Sequence, residues 1–171
     1  MNPQIVRKEQ TWLAGFSFYG DPFRLSPGWT EENEIGRLWQ RFMAYLASLD
    51  EAGRAFIARP GIAYEVHVYN EETRNSGLFE VFVGVELAEG APIPLEAVVK
   101  VLPPTTYAVF TLRGQEIVGD WSLAIYGEWL PESGYELAHQ YHIQYHDGSF
   151  KGFDHLDESS LDVYVPVRPK A

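Results

Sequence analysis

The first third of the chain shows two apolar patterns of different period. In Ile5–Tyr19, aromatic and aliphatic residues alternate with smaller or polar ones, which predicts a strand with one strongly aromatic face. From Thr30, a suitable helix N-cap, to about Ser48, apolar residues recur at intervals of three and four. These residues are Ile35, Leu38, Trp39, Phe42, Tyr45, Leu46 and Leu49. We therefore expect a strand followed by an amphipathic helix that buries this stripe.

The rest of the chain alternates between further strands and one more helix. Periodic apolar residues between Ile117 and Trp129 predict a second helix. This helix should end near Leu130, because Pro131 lacks a backbone donor and disfavours helical geometry in the residue before it. The predicted strands are Ile62–Tyr69, Leu78–Leu87, Thr105–Arg113, Tyr135–Tyr145 and Leu161–Val167.

Two stretches of the sequence resemble each other. Leu13–Gly20 and Tyr107–Gly114 share an Ala, a Phe, a small hydroxyl residue and a Gly at matching positions. Each is followed by a predicted helix and then by a strand with a related opening, Tyr64-Glu65-Val66 or Tyr135-Glu136-Leu137. This order predicts an α+β fold of two tandem β-α-β-β units with pseudo-twofold symmetry, a mainly antiparallel sheet and two main helices. A groove between the halves would be the natural ligand site.

Composition narrows the class of protein. The 171 residues are 46% hydrophobic and 15% aromatic, enough for a substantial core, so we expect one domain over residues 1–171. No apolar segment approaches the roughly 20 residues of a membrane span, so we expect a cytoplasmic protein with no membrane partner. The formal charge of −11 argues against direct binding of nucleic acid. The absence of cysteine excludes disulfides and thiolate chemistry.

Glu136 is the candidate functional acid. Its flanking residues are apolar or aromatic, and no Lys or Arg lies within ten residues of it in the sequence. Such an acid is either exposed at the start of a strand or buried with a raised pKa. A buried acid could pair with a cation or act as a general acid or base. Glu65, its counterpart in the repeat, is expected to be exposed.

Five motifs in order resemble the GyrI-like small-molecule-binding domain, also called the AraC-type effector-binding domain. They are Leu38–Phe42, Phe82–Leu87, Tyr107–Thr111, Ile125–Glu136 and Asp162–Val167, and together they span nearly the full length of the chain. The resemblance implies a pocket lined by aromatic residues between the halves, with Glu136 facing cationic, lipophilic compounds. In family members fused to DNA-binding domains, this module senses drugs and so relates to transcription regulation. Here Met1–Tyr19 is already the first strand, so we expect a stand-alone binding protein.

The resemblance leads to one main hypothesis and two alternatives. The main hypothesis is a binding protein for amphipathic, cationic small molecules, acting in the sensing or sequestration of drugs or toxins. Its candidate ligand-binding residues are Glu136, Trp39, Tyr64, Phe82, Tyr107, Phe110, Trp129 and Phe16. One alternative is a hydrolase of reactive cyclopropane-containing toxins that uses Glu136 as acid or base. The other is a protein-interaction module of the gyrase-inhibitor type.

The clustered histidines in the C-terminal half of the sequence do not predict a metal site. His139, His142 and His146 are clustered in the sequence, but in one strand His139 and His142 would point to opposite faces. No Gly-rich phosphate loop or nucleophile elbow is found either. We therefore expect neither a metal nor a cofactor.

Overall fold

The protein forms a nine-stranded antiparallel sheet in a computed structural model, which describes residues 2–28 and 30–170. The strands are β1 (Gln4–Lys8), β2 (Thr11–Gly20), β3 (Ala63–Val68), β4 (Phe79–Glu86), β5 (Val98–Leu102), β6 (Thr105–Arg113), β7 (Tyr135–Leu137), β8 (Tyr141–His146) and β9 (Ser160–Pro169). Their order across the sheet is β1-β6-β9-β8-β3-β4-β2-β5, and β7 also pairs with β9. The predicted strand Ile5–Tyr19 is interrupted between β1 and β2, which pair at opposite ends of this order.

The first main helix, α1, spans Glu34–Ser48 and begins four residues after the predicted N-cap. Its N-cap is Asn33, whose side chain accepts a hydrogen bond from the backbone N–H of Gly36 at 2.9 Å. The hydroxyl of Thr30 instead accepts from the backbone N–H of Glu32, which forms a separate turn just before the helix. Thr30 was therefore the wrong cap, because a second capping residue with better geometry follows one turn later. A short helix, α2, spans Thr73–Ser76.

The second main helix covers residues 121–132 and is mostly π-helical. Its π-helical segment is Leu123–Trp129, and an α-helical turn, Leu130–Glu132, completes it. The backbone N–H of Leu130 donates to the carbonyl of Ile125, the spacing of five that defines this geometry. The helix also passes Pro131 instead of ending before it, because the N–H of Ser133 donates to the carbonyl of Trp129 at 2.9 Å. Single-turn π-helical segments are often found at functional sites. The π-helical segment of this protein is longer than a single turn, which makes this helix a candidate part of a functional site.

The predicted tandem repeat is confirmed by the pairing of the strands. In the first half, Gly15 pairs with Gly84, which pairs in turn with Tyr64. In the second half, Val109 pairs with Tyr164, which pairs with Ile143. Since Gly15 and Val109 correspond in the sequence repeat, the same path through both halves makes Tyr64 equivalent to Ile143. Glu65 therefore corresponds to Gln144, and not to Glu136 as the sequence comparison suggested.

The pseudo-twofold axis passes between β3 and β8, the antiparallel pair that joins the two halves. Both main helices lie on one face of the sheet, each over the strands of its own half. Under α1 the core contains Ala14, Leu38, Phe42, Phe56, Phe79, Val81, Val83 and Val85. Under the second main helix it contains Ala108, Phe110, Leu112, Ile117, Trp121, Ile125, Leu161, Val163, Val165 and Val167. The centre of the sheet, between these two cores, is where the two halves meet.

Candidate functional site

One row of paired residues crosses the helix-covered face of the sheet and reads almost the same from both ends. It runs Phe16, Val83, Glu65, Gln144, Val163, Phe110, each residue paired with the next across a strand boundary. Directly paired residues in an antiparallel sheet project to the same face, with Cβ atoms about 5 Å apart. The row is apolar at both ends and polar only at its two central positions. The symmetry axis therefore coincides with an acid facing its amide counterpart.

The carboxylate of Glu65 is buried and hydrogen-bonded by two ring N–H groups. Its side chain is 5% exposed. The indole Nε1–H of Trp39, from α1, donates to Oε2 at 2.5 Å, and Nε2 of His67 lies 2.7 Å from Oε1. Burial alone raises the pKa of the Glu65 carboxyl. The hydrogen bond and charge of His67 and the hydrogen bond from Trp39 outweigh burial, so the pKa falls below its ordinary value.

Two further histidines of β8 lie on the same face as Glu65. His142 pairs with His67 across the β3–β8 boundary, with ring centroids 4.7 Å apart. Burial, and then the charge of His67, hold the pKa of the His142 imidazole well below its usual range. Burial also lowers the pKa of His146, although the charges of Glu65 and Asp147 partly oppose it. Both imidazoles are therefore neutral at pH 7.

Three buried polar atoms of this group have no hydrogen-bond partner among residues 2–28 and 30–170. They are Oε1 of Gln144, Nε2 of His142 and Nε2 of His146. Gln144 and His142 are each only 2% exposed. An unpaired buried polar atom costs about 1–3 kcal/mol, so a well-packed core residue would not leave these atoms without partners. We call Glu65, His67, His142, Gln144 and His146 the central polar cluster.

Aromatic side chains from both halves cover the central polar cluster. Trp39 lies over His146, with ring centroids 4.8 Å apart. The second main helix contributes Trp121, whose ring meets His142 edge-on at 5.3 Å, and Tyr126, whose hydroxyl is 3.4 Å from Nδ1 of His142. The hydroxyl of Tyr69 lies at the same distance from that nitrogen. A buried carboxylate is thus enclosed by aromatic rings between α1 and the second main helix.

Glu136 lies outside this enclosure, so of the two settings that the sequence left open for this acid, the structure has the exposed one. Its side chain is 46% exposed, and its Oε1 accepts a hydrogen bond from Nε of Arg168 at 2.7 Å. The predicted strand Tyr135–Tyr145 is in fact β7 and β8, separated by residues 138–140. From Leu137 to Ile143 the chain advances six residues, while their partners on β9 advance only from Val167 to Tyr164.

The chain therefore has three more residues than β9 over this interval. Because side chains alternate between the two faces of a sheet, this odd excess turns Glu136 to the face opposite Gln144. Arg168 is distant in sequence but directly opposite Glu136 in the sheet, which is why local sequence did not reveal its counter-charge. The expected exposure of Glu65 is wrong for the complementary reason. β3 is a central strand, and its Glu65 face lies beneath Trp39.

The other predicted ligand-binding residues are distributed over three places. Trp39 alone joins the central polar cluster directly. Tyr64, Phe82 and Tyr107 belong to the core on the opposite face of the sheet. Phe110 and Trp129 pack edge-to-face at 5.1 Å in the core of the second half, and Phe16 packs on Phe42 at 5.6 Å in the first. The ligand contacts assigned to these residues stay predictions, and the structure does not bring them to Glu136.

Sequence reasoning missed most of the central polar cluster, although a signal was present. Glu65 and His67 occupy alternate positions of one strand, and His142, Gln144 and His146 occupy alternate positions of another. Polar residues at period two between apolar ones mark one face of a strand. Two such faces on neighbouring central strands would have pointed to a buried polar site. Among the described residues, no group of three or more His, Asp or Glu is arranged to hold a metal ion.

Two pseudo-symmetric halves with helices on one face of a shared sheet form the fold of small-molecule effector-binding domains. The chain belongs to the Cass2 family of integron-associated effector binding proteins, which it matches over residues 4–167. The predicted resemblance to GyrI-like effector-binding domains is thereby confirmed.

Two relatives match nearly the whole of this chain. The transcriptional regulator BrlR of Pseudomonas aeruginosa is 30% identical over 169 residues, which cover 98% of this chain and 56% of BrlR. The chain therefore spans little more than half the length of that relative. A DNA gyrase inhibitor of Erwinia billingiae is 26% identical over 179 residues, covering 98% of this chain and 97% of the inhibitor.

Solved structures share the fold at low sequence identity. SAV2435 bound to tetraphenylphosphonium superposes with a TM-score of 0.69 at 13% identity, covering 98% of this chain and 94% of that one. An integron cassette protein of Vibrio cholerae gives a TM-score of 0.61 at 16% identity, covering 98% and 96%. Within residues 2–28 and 30–170, no helix is both long and apolar enough to cross a membrane.

Proposed function

We propose that this protein binds lipophilic organic cations between α1 and the second main helix, with the carboxylate of Glu65 as the counter-charge. The observation that carries the proposal is a buried carboxylate with a lowered pKa beneath aromatic rings. Its neighbours His142 and His146 are neutral at pH 7 because burial lowers the pKa of each. An ionised acid in such a place attracts a cation more strongly than one at the surface, because solvent screens it less.

The aromatic cover suits the lipophilic part of such a ligand. Trp39, Trp121 and Tyr126 come from the two main helices, and Tyr69 lies just beyond the end of β3. A cation within about 6 Å of such a ring gains roughly 0.5–2 kcal/mol per contact, depending on desolvation. The rings also bury apolar ligand surface at about 25 cal/mol per Å². Aromatic area therefore supplies affinity, while Glu65 selects for positive charge.

Ligand entry requires the cover to rearrange. Trp39 donates its indole N–H to Glu65, so a cation that reaches the carboxylate replaces this donor or stacks on the ring. Trp39 is only partly buried, so a change of its side-chain rotamer can open the site. Binding should then change the environment, and hence the fluorescence, of this tryptophan.

Tetraphenylphosphonium, the ligand named for the structural relative SAV2435, is a suitable probe. Its affinity should be measured by tryptophan fluorescence and calorimetry against neutral triphenylphosphine oxide, which has similar aromatic rings without the charge. We expect the cation to bind more tightly than the neutral compound. Replacing Glu65 by Gln removes the charge but keeps the shape, so the cation should bind at least about 30-fold more weakly, a loss of roughly 2 kcal/mol.

Glu136→Gln is the matched control, because it makes the same chemical change at an exposed acid. The affinity of this variant should stay within about twofold of the wild-type value, since screening weakens surface charges. Equal affinity for the charged and neutral compounds would refute the proposal. It would also fail if Glu65→Gln bound the cation as well as the wild type while Glu136→Gln did not.

A further inference from the structure

We infer that the ligand of this site is an ammonium or amidinium cation that donates N–H hydrogen bonds, in preference to a fully substituted cation such as a quaternary ammonium. The inference rests on the proposed function and narrows its ligand class. It depends on the unpaired polar atoms of the central polar cluster. A site that recognised its ligand by charge alone would have no use for these hydrogen-bonding atoms.

The unpaired acceptor lies next to the proposed counter-charge. Gln144 stands directly opposite Glu65 in the sheet, at the separation of about 5 Å between Cβ atoms that paired residues have. Its Oε1 is buried and has no partner among the described residues. One nitrogen positioned between the two side chains could therefore donate to a Glu65 oxygen and to Gln144 at once. An ammonium has three donors, whereas a quaternary nitrogen has none.

The two histidines add further unpaired positions around the same point. Nε2 of His142 and Nε2 of His146 are buried without partners in the part of the chain that the structure describes. These residues flank Gln144 at alternate positions of β8, so their side chains share its face. Burial lowers the pKa of both imidazoles, so a cationic ligand meets neutral rings there. Polar groups thus surround the position of the cationic nitrogen on several sides.

The energetic consequence favours an N–H donor. A quaternary cation would bury the Gln144 acceptor further without pairing it, and that loss is characteristic of analogues that lack a required donor. A protonated amine of the same size would pair it. The symmetry of the fold reinforces the distinction, because the position equivalent to Glu65 carries an amide that can accept but adds no second negative charge.

The test uses two cations that share one aromatic skeleton and one charge, of which only the first carries N–H donors. The ligands are protonated 4-phenylbenzylamine and its N,N,N-trimethylammonium analogue, with 4-phenylbenzyl alcohol as the neutral reference, all measured by calorimetry at pH 7. We expect the wild type to bind the primary ammonium about tenfold more tightly than the quaternary analogue, as one additional buried hydrogen bond would give. In Gln144→Met, which keeps the side-chain volume but removes the acceptor, this preference should fall below about threefold.

Controls separate the outcomes. Gln115→Met changes an exposed glutamine and should leave the preference unchanged. Gln144→Met should also unfold at a higher urea concentration than the wild type without ligand, because it removes an unpaired buried acceptor. Equal or tighter binding of the quaternary cation by the wild type would overturn this inference while leaving the proposed function intact. If neither cation binds more tightly than the alcohol, the proposed function itself fails.

Discussion

Glu65 and Glu136 have nearly the same local sequence and opposite surroundings. Each follows a tyrosine and precedes an aliphatic residue. The side chain of Glu65 is 5% exposed and bonded to ring N–H groups, whereas that of Glu136 is 46% exposed and paired with Arg168. Three neighbouring residues therefore do not decide whether an acid in a strand is buried. The decision belongs to the position of the strand in the sheet and to its register.

The same comparison shows what the symmetry of the fold preserves and what it changes. The central row keeps a Phe and a Val at equivalent positions in both halves. Only at the axis do the halves differ, with Glu65 in one and Gln144 in the other. Two facing carboxylates there would repel each other and raise one pKa. The amide removes that conflict, so a single cation can neutralise the site.

The largest difference between the two acids should be in stability. Replacing Glu65 by Ala leaves the indole N–H of Trp39 and Nε2 of His67 without their buried acceptor. We expect the free energy of unfolding to fall by about 3 kcal/mol, the scale for breaking a buried hydrogen-bonded pair. Glu136→Ala removes an exposed ion pair and should cost less than about 1 kcal/mol. Urea denaturation of both variants tests this, and similar losses would contradict the comparison.

A second difference is that the surroundings of Glu65 contain buried histidines, which should make the stability of the protein depend on pH. Burial lowers the pKa of His142 and His146, so the native state holds them neutral where unfolded imidazoles, with pKa near 6.5, take up protons. The unfolded state then binds more protons, so their contribution to stability is complete above about pH 6.5 and is lost as the pH falls. We expect the free energy of unfolding to fall by about 2 kcal/mol between pH 7 and pH 5.5.

Urea denaturation across that range measures the effect, and two variants locate it. His142→Asn should remove about half of the decrease, whereas His155→Gln, at an exposed histidine, should leave it unchanged. The lowered pKa of Glu65 acts in the same direction at lower pH, because its contribution is present above about pH 4.3 and is lost below it. A free energy of unfolding that stays constant from pH 7 to pH 5.5 would show that His142 and His146 are not held neutral in the folded protein.

Much of the fold follows from periodicity. The predicted strand Thr105–Arg113 is β6 without any change of bounds, and the apolar stripe of α1 supplies Leu38 and Phe42 to the core. The repeat between Leu13–Gly20 and Tyr107–Gly114 identified the two halves correctly. These features depend on which residues avoid water, and the sequence records that directly.

The site was harder to predict because it depends on pairing between distant strands. Nothing in Ala138-His139-Gln140 marks the break that turns Glu136 to the other face, since it contains neither Gly nor Pro. The partners of Glu65 and Glu136 also include residues far away in the sequence, Trp39 and Arg168. Trp39 was the one predicted site residue that joins the central polar cluster, and its helical stripe gave no indication that it would contact Glu65.

The smallest of the expected effects comes from the hydrogen bond between Trp39 and Glu65, and it tests what lowers the pKa of Glu65. Trp39→Phe keeps an aromatic ring over His146 but removes the indole N–H that donates to the carboxylate. We expect the free energy of unfolding to fall by about 1 kcal/mol at pH 7, the typical net contribution of one hydrogen bond. Trp12→Phe is the matched control, because Trp12 is 46% exposed, and it should cost less than about 0.5 kcal/mol.

Titration distinguishes the hydrogen bond from simple packing. The Trp39 donor is one of the groups that lower the pKa of Glu65 against the opposing effect of burial. Without it, the folded pKa should rise towards the unfolded value, so the acid-dependent loss of stability below about pH 5 should be smaller, and should end at a higher pH, in Trp39→Phe than in Trp12→Phe. If Trp39→Phe lost stability equally at all pH values, the indole would act only by packing. In that case His67 would have to keep Glu65 ionised without it, and the contrast with Glu136 would depend on that histidine alone.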